Sequence, residues 1–458
     1  MTASMTDGEL GRVLLTLRGV QWILGTRGDP YALLLRATGD DRNDLGRQVR
    51  DRGPLYWSSA ETWVTADHEA ATAALTDPRL TPRPLERGSA RCGEPVGEAG
   101  GGPAGDPAGE PAPWDVPTLR ETLPMPELPA ALDRAEYRRL HHWAAPVLGE
   151  KALRRLRPAA ERAYRSRASA LGERFDLVDD LIRPATTQAA RLLIGVPERH
   201  ADRFATLCAE TTGVLDATLC PPRLDTARRY GAALPRLHAL LAETVRTAGA
   251  RRVGDESGAS PGLAGRLLAA PGPGGPPDVL TLCALLALVG IDYATTLAAD
   301  AVALLLDHPD QWRALREDPG LAPACVAETL RCAPPVRLHR LYAEWDLEFA
   351  GTKVARGEEL VVLTGAAHRD PRRHTEPDRF DIHRHTRGDG LDGLLAGPLD
   401  ALVGPAARLA AEAALRACAA ELPELARTGE VLRRLRSPIT GGVLRFPAAR
   451  TASAHRTP

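Results

Sequence analysis

The sequence lacks the cysteine patterns that build disulfide frameworks and zinc sites. Its seven cysteines are scattered and odd in number, and none of them belongs to a Cys-x-x-Cys pair. Such a pattern favours free thiols in a reducing compartment, so we expect a cytoplasmic protein without a structural metal. No cysteine occurs between Ala333 and Ala417. This interval therefore offers no thiolate that could bind a metal.

The sequence also lacks an excess of charge, a signal peptide and a long apolar run. The 58 Lys and Arg residues nearly balance the 59 Asp and Glu residues, and a net charge of -1 would not steer nucleic acid or an anionic membrane. No apolar segment followed by a small-residue cleavage site is present near the N-terminus. The longest apolar run, 279–291, is shorter than the roughly 20 residues of a membrane-spanning helix. We therefore expect neither a nucleic-acid partner nor a membrane anchor.

Helical periodicity dominates what the chain does contain. We predict helices over the segments in which apolar residues recur at helical spacing: 10–35, 67–76, 135–148, 152–171, 176–193, 199–217, 224–247, 278–307, 322–332 and 405–422. Strand character is limited to short segments: 61–66, 347–354, 359–363 and 433–446. The helix 278–307 is long and nearly apolar along its middle, so it should run through the core. These patterns predict a mainly α fold with a small β-rich subregion.

Three segments are too poor in large apolar residues to fold alone. We expect flexible Gly- and Pro-rich loops over 88–113 and 253–277, and a disordered tail over 448–458. The N-terminal segment 8–35 is instead amphipathic. It is either a helix docked on the core or an apolar face for a partner protein.

The C-terminal half contains an ordered series of motifs. Glu328 and Arg331 stand three residues apart on a predicted helix, where a carboxylate and a guanidinium can pair. Alone, such a pair is weak evidence, because it is common on solvated helices and contributes only about 0.2–0.5 kcal/mol. The series continues with Pro334-Pro335, with Ala-His-Arg-Asp-Pro over 367–371, and with Glu-Pro-Asp-Arg-Phe over 376–380.

In this order the motifs resemble the C-terminal half of a cytochrome P-450. Further segments fall in the family's order, including Leu75 to Leu80, Arg139-Leu140 and the long central helix. The resemblance implies that residues 1–458 form a single P-450-like domain. It also implies that Glu328, Arg331 and Arg379 form the family's structural triad, which performs no chemistry itself.

The departures from the family pattern lie where the chemistry would take place. Alignment of Gly404 and Arg408 with the end of the family's haem-binding loop places Leu402 at the position of the iron-ligating cysteine. A leucine can neither ligate iron nor supply the electron density that a thiolate uses to promote O–O cleavage. Cys418 lies well down the following helix and Cys332 lies beside the triad, so neither is a replacement.

A second departure lies on the central helix. In Val289-Gly290-Ile291-Asp292-Tyr293, Tyr293 replaces the threonine of the family's oxygen-activating signature, while the acid is kept as Asp292. The helix that supplies a His and an Arg to the haem propionates has Tyr137 and His141 at those positions. We expect Asp292 to bond to a neighbouring helix rather than to act as an acid or base.

The histidine pairs do not indicate a metal site. His141 and His142 are adjacent, so on a helix their side chains diverge by about 100°. His383 and His385 have no evident third ligand. We therefore predict no catalytic residue, no cofactor-binding residue and no metal ligand.

A narrower resemblance fits these losses. The opening segment 10–31 and the tail Arg436-Ser437-Pro438 are similar to haem-less P-450 homologues that assist deoxysugar glycosyltransferases in actinobacterial antibiotic pathways. This implies a non-catalytic activator or stabiliser of a nucleotide-diphosphate deoxysugar glycosyltransferase in macrolide or aromatic polyketide biosynthesis. The two proteins would form a hetero-oligomer such as a heterotetramer.

Two other functions stay open at this point. One is a haem-binding monooxygenase whose iron is held by an unconventional ligand such as His141, His339 or His368. The other is a binding module whose vacated cavity takes a hydrophobic small molecule.

Overall fold

The computed structural model describes residues 5–36, 39–84, 119–123, 125, 128, 132–251, 262–384 and 394–450. In these ranges eighteen α-helices follow in chain order: α1 Asp7–Gly25, α2 Pro30–Arg36, α3 Arg42–Asp51, α4 His68–Thr76, α5 Leu119–Thr122, α6 Arg134–Leu148, α7 Glu150–Leu153, α8 Arg157–Ser169, α9 Arg183–Ile194, α10 Ala201–Glu210, α11 Leu224–Arg251, α12 Leu263–Ala269, α13 Pro276–Leu285, α14 Ile291–Leu306, α15 Pro309–Glu317, α16 Ala322–Cys332, α17 Thr364–Ala367 and α18 Pro398–Glu421. Short 3-10 or π turns connect several of them. This architecture confirms the predicted mainly α fold.

Twelve short strands form the β-rich part of the same ranges: β1 Tyr56–Ser58, β2 Thr62–Thr65, β3 Leu80–Thr81, β4 Arg174–Asp176, β5 His339–Ala343, β6 Leu347–Phe349, β7 Thr352–Val354, β8 Glu359–Val362, β9 Ala426–Arg427, β10 Leu432–Arg433, β11 Val443–Arg445 and β12 Pro447–Ala449. The largest sheet has the order β1-β2-β8-β5-β3. Its pairs are antiparallel except for β2 with β8, which is parallel. A second sheet, β4-β12-β9, joins the C-terminus to the strand before α9.

The core is built around one long helix. The helices α13 and α14, joined by the π turn Leu286–Gly290, run continuously over the 31 residues Pro276–Leu306. By length and composition alone this helix could cross a membrane, but its most apolar window is entirely buried inside the protein. It is the core helix that the sequence predicts. The helix α18 packs directly along α14 and also contacts α8 and α16.

The last long helix begins earlier than the sequence analysis predicts. We expected it to start at Pro405, whereas α18 starts at Pro398 and contains Pro405 in its interior. Pro398 occupies the first turn, and the carboxylate of Asp400 accepts the N–H of Gly397 at 2.7 Å. This cap satisfies a backbone donor that would otherwise be left without a partner, so the helix is stable from Pro398 onward.

Three other predicted segments differ from the structure. Residues 253–277 were expected to form a flexible loop, but α12 and the start of α13 lie within this segment because Leu263 and Leu267 are buried in the core. The tail expected from 448 onward begins inside β12, which pairs with β4 and β9. The loop 88–113 lies outside the described residues. The N-terminal helix is divided into α1 and α2 at Gly28, whose φ of 72° suits a glycine.

Candidate functional site

The candidate site is the region where α14 faces the first turns of α18. Leu402, the residue at the expected ligand position, lies on the second turn of α18 and is buried. The segment aligned with the family's haem-binding loop is therefore mostly helical here. Because Leu402 lies on a helix, the helical backbone sets the direction of its side chain. That side chain is aliphatic.

Tyr293 and Asp400 face each other between these two helices. The hydroxyl group of Tyr293 interacts with the carboxylate of Asp400, which also caps Gly397. Nε2 of His339 lies 3.7 Å from Oδ2 of Asp400. Tyr137 on α6 is buried beside the same carboxylate. The positions at which the family handles haem and oxygen thus hold a cluster of polar side chains centred on Asp400.

Burial fixes the protonation states in this cluster. Burial raises the pKa of Tyr293 well above its ordinary value, and the nearby carboxylate of Asp400 raises that pKa further. Burial likewise lowers the pKa of His339, although Asp400 opposes that change. At neutral pH the tyrosine is therefore a hydrogen-bond donor and the imidazole is neutral.

Asp292, the acid kept from the oxygen-activating signature, is held by an ion pair. Nη1 and Nη2 of Arg434 donate to its two carboxylate oxygens at 2.9 and 2.7 Å, and Nη1 of Arg183 lies 3.9 Å away. Burial alone would raise the pKa of Asp292, but the charge and hydrogen bonds of Arg434 outweigh this and lower it. The carboxylate is therefore ionised and held in a structural ion pair, but its hydrogen-bonding partner lies between β10 and β11 and not on a neighbouring helix as expected.

The structural triad has a different third member from the one predicted. Arg331 donates to both oxygens of Glu328, through Nη2 at 2.8 Å and Nε at 3.0 Å, and both side chains are buried. The prediction for Arg379 is wrong, because its exposed guanidinium pairs with Glu376 at 3.1 Å. Nε of Arg384 donates to Glu328 at 3.2 Å instead. Arg379 contributes only its carbonyl oxygen, which accepts from Arg331 and Arg384.

The three histidines that the sequence suggests as alternative iron ligands lie in three different environments. His141 is exposed on α6. His339 lies beside Asp400, and a side chain on Gly397 would collide with its ring. Nε2 of His368 accepts the backbone N–H of Leu395 at 2.6 Å, so the lone pair that would bind a metal is occupied. Within the described ranges no group of three or more His, Cys, Asp or Glu side chains could hold a metal ion. His383 is described, whereas His385 is not.

One small cavity lies beside this stretch of α14. A cavity of about 50 Å³ is lined by apolar residues that include Gly290, Ala294 and Val403. A drug-sized ligand needs a pocket of roughly 300–1,000 Å³. The residues present do not fit a haem-thiolate centre, because the ligand position is a buried leucine on a helix and polar side chains fill the facing positions.

Comparisons with known proteins agree with the fold. The family model described as "Cytochrome P450" matches residues 307–395. Protein AknT of Streptomyces galilaeus is 40% identical over 98% of this chain and 97% of its own length. Protein DesVIII of Streptomyces venezuelae is 35% identical over 97% of this chain and 95% of its own length. The solved structure of epothilone D-bound cytochrome P450epoK has a TM-score of 0.74 at 21% identity, covering 91% of this chain and 98% of that one.

Cytochrome P450 family protein EryCII of Saccharopolyspora erythraea is 30% identical over 96% of this chain and 97% of its own length, so this chain belongs to the cytochrome P450 superfamily. Within it, the chain resembles protein AknT and protein DesVIII over nearly its whole length.

Proposed function

We propose that this protein is a non-catalytic auxiliary subunit that activates or stabilises a nucleotide-diphosphate deoxysugar glycosyltransferase in antibiotic biosynthesis. The observation that carries the proposal is the contact between Tyr293 and Asp400 beside the buried, helical Leu402. This arrangement leaves the P-450 scaffold without the groups that its usual chemistry needs. A P-450 fold that no longer catalyses a reaction can still act by binding a protein partner.

Two physical routes lead from binding to activation. A partner that binds only the folded glycosyltransferase stabilises it by mass action, by about 2.7 kcal/mol at a concentration a hundred times the dissociation constant. A partner that also prefers the transfer-competent conformation raises the rate through coupling between the two sites. Both routes require a rigid binding surface but no reaction on the auxiliary subunit itself.

The outer face of α1 is our candidate for this binding surface. One side of α1 is docked, with Leu14 buried against α11 and α5. The opposite side exposes Leu15, Trp22 and Ile23, which are 68%, 52% and 61% exposed. Leu15 stands seven residues before Trp22 and eight before Ile23, about two helical turns, so these side chains form an apolar stripe along one side of α1. Exposed apolar stripes of this kind are typical of protein interfaces.

The charges beside this stripe favour a different protein over a second copy of this chain. Between Leu10 and Gly28 the sequence contains arginines but no acidic residue, and Arg12 and Arg27 are exposed. Two copies of α1 packed antiparallel would bring Arg12 of one copy near Arg27 of the other, which is repulsive. An apolar groove with an acidic rim on the glycosyltransferase would be complementary.

Co-expression tests the proposal. The cognate glycosyltransferase is expressed alone, with the wild-type protein, with Ile23→Glu, and with Leu435→Glu as a matched control. Leu435 is 77% exposed on the β10–β11 hairpin, so both substitutions add a carboxylate at an exposed apolar position. We expect the wild type and Leu435→Glu to raise soluble yield and transfer rate, and Ile23→Glu to lose co-purification and most of the gain.

The possible outcomes separate the function from the interface. If the wild-type protein changes neither the yield nor the rate of the glycosyltransferase, the activator function is refuted. If all three forms activate equally, the function stands and the α1 interface is refuted. A Soret band with stoichiometric iron in the purified wild-type protein would contradict the non-catalytic assignment.

A further inference from the structure

A cluster of arginines surrounds the buried carboxylate of Asp300 on α14. Nη2 of Arg433 and Nη2 of Arg337 lie 2.5 and 3.3 Å from the two oxygens of Asp300, whose side chain is 1% exposed. Arg42, at the start of α3, is close enough to Arg433 and Arg337 to repel both. Three guanidinium groups thus share the charge of one adjacent carboxylate.

The next acidic side chain does not balance this charge. Asp216 also lies near Arg42, but its oxygens already accept the hydroxyl groups of Ser437 and Thr440. They accept the backbone N–H groups of Ile439 and Thr440 as well. Burial raises the pKa of Asp216. Whether or not Asp216 is ionised, the cluster therefore keeps an excess of positive charge.

Two buried nitrogens of the cluster have no partner within the part of the chain that the structure describes. They are Nη1 of Arg42 and Nε of Arg337. A buried charged donor without an acceptor is costly, and proteins ordinarily satisfy such donors. Gly441 leaves room for the guanidinium of Arg337, because a Cβ at this position would lie 2.6 Å from Nε. Burial lowers the pKa of Arg337 to about 10 despite the opposing charge of Asp300, so it stays protonated at neutral pH.

We propose that Arg42, Arg337 and Arg433 form a binding site for a phosphate group. The planar forks of guanidinium groups match the oxygens of phosphate, and the excess charge suits a dianion. Solvent reaches part of the cluster, since the side chains of Arg337 and Arg433 are 19% and 35% exposed. This site is separate from the Tyr293–Asp400 cluster and from α1, and it does not depend on the proposed function.

Thermal melting and calorimetry of the full-length protein test the site. Inorganic phosphate and pyrophosphate are titrated at constant ionic strength, with chloride as the reference anion. The variants are Arg42→Gln, Arg42→Lys, and Arg47→Gln as a control on the same helix, where Arg47 is an exposed partner of Asp44. We expect wild type and Arg47→Gln to bind phosphate or pyrophosphate, and Arg42→Gln to bind about ten- to hundredfold more weakly. Arg42→Lys keeps the charge but loses the fork, so it should fall between them.

A second readout separates a ligand site from a purely structural arginine. Without phosphate, Arg42→Gln should melt at the same temperature as the wild type or higher, because one repelling charge has been removed. A lower melting temperature, together with equal responses of all variants to phosphate, would overturn the proposal. Equal responses to phosphate and to chloride in the wild type would overturn it as well.

Discussion

The Asp292–Arg434 ion pair offers the sharpest test of the idea that catalytic positions have become structural. In the variant Arg434→Met, the carboxylate of Asp292 stays buried and keeps Nη1 of Arg183 at 3.9 Å and the backbone N–H of Gly213 as neighbours. Removing one partner of a buried pair costs about 3–5 kcal/mol, because the other charge is left uncompensated. Since Arg183 compensates part of that charge, we expect the free energy of unfolding to fall by about 3 kcal/mol.

Two further variants show whether this loss of unfolding free energy comes from the uncompensated buried charge. Replacing both members, Asp292→Leu with Arg434→Met, removes both charges and should return the protein to within about 1 kcal/mol of wild type. The control Arg427→Met breaks a pair with Asp307 at 2.9 Å, in which both side chains are more than 40% exposed. Such exposed pairs contribute about 0–1 kcal/mol, so this variant should be close to wild type.

Urea unfolding followed by circular dichroism at several pH values measures these differences. The pKa of Asp292 is lowered in the folded protein, so its stabilising contribution is present above the unfolded value of about 3.9. It is lost as the pH falls below that value through the folded pKa. Without Arg434 burial dominates and raises the pKa of Asp292, so the gap between the wild type and Arg434→Met should be widest near pH 7 and narrow as the pH falls. If Arg434→Met costs no more than Arg427→Met, the structural account of Asp292 is wrong.

Three further predictions concern the triad and the candidate site. Arg384→Ala should destabilise the protein by about 2–3 kcal/mol in urea unfolding, because it leaves the buried Glu328 with one guanidinium, whereas the exposed Arg379→Ala should cost under about 1 kcal/mol. Leu402→Cys alone should not give a thiolate-haem absorption spectrum after reconstitution with haem, since the position lies on a helix. A Soret band in that variant would show that a haem pocket survives. Tyr293→Phe should lower the midpoint of urea unfolding by an amount equivalent to about 1 kcal/mol, through loss of the contact with Asp400.

The fold could be predicted from the sequence because several independent signals agree. The apolar run in 278–307, the Glu328–Arg331 spacing and the downstream Pro and Arg motifs all point to one architecture. The third arginine of the triad could not be predicted in the same way. Arg379 and Arg384 are five residues apart in an irregular segment, and which side chain turns inward depends on how the backbone near Asp381 packs against Glu328.

The start of α18 shows a similar limit. Proline is favoured in the first turn of a helix, so both Pro398 and Pro405 are candidates for the start of α18. The predicted start was Pro405, whereas the helix begins at Pro398. Asp400 distinguishes the two prolines. It is the third residue of the helix that begins at Pro398, and its carboxylate can cap Gly397. The same residue contacts Tyr293 on α14, so a long-range interaction and a local cap select the same helix start.

The partners of the buried acids on α14 were the least predictable feature. Asp292 and Asp300 are eight residues apart and so lie on one face of the helix, and buried acids require partners. Their partners, Arg434 and Arg433, come from the tail more than 130 positions later. The run of arginines at 433–436 is the one signal that could have indicated them, but a run of charge in a tail more often lies in solvent.

The arginine tail also bears on how α1 is held. The inner face of α1 buries few residues, Leu14 and Gly25 among the described ones, so apolar packing alone would leave the register of this helix weakly defined. Directional contacts supply it: Gln21 donates to the carbonyl oxygen of Leu219 at 3.0 Å and accepts from Arg436 at 2.6 Å. The C-terminal segment that neutralises Asp292 on α14 through Arg434 therefore also positions α1 through Arg436. Buried ion pairs often stabilise less than apolar packing, but they define one arrangement. For the proposed role of presenting Trp22 and Ile23 to a partner, one arrangement matters more than maximal stability.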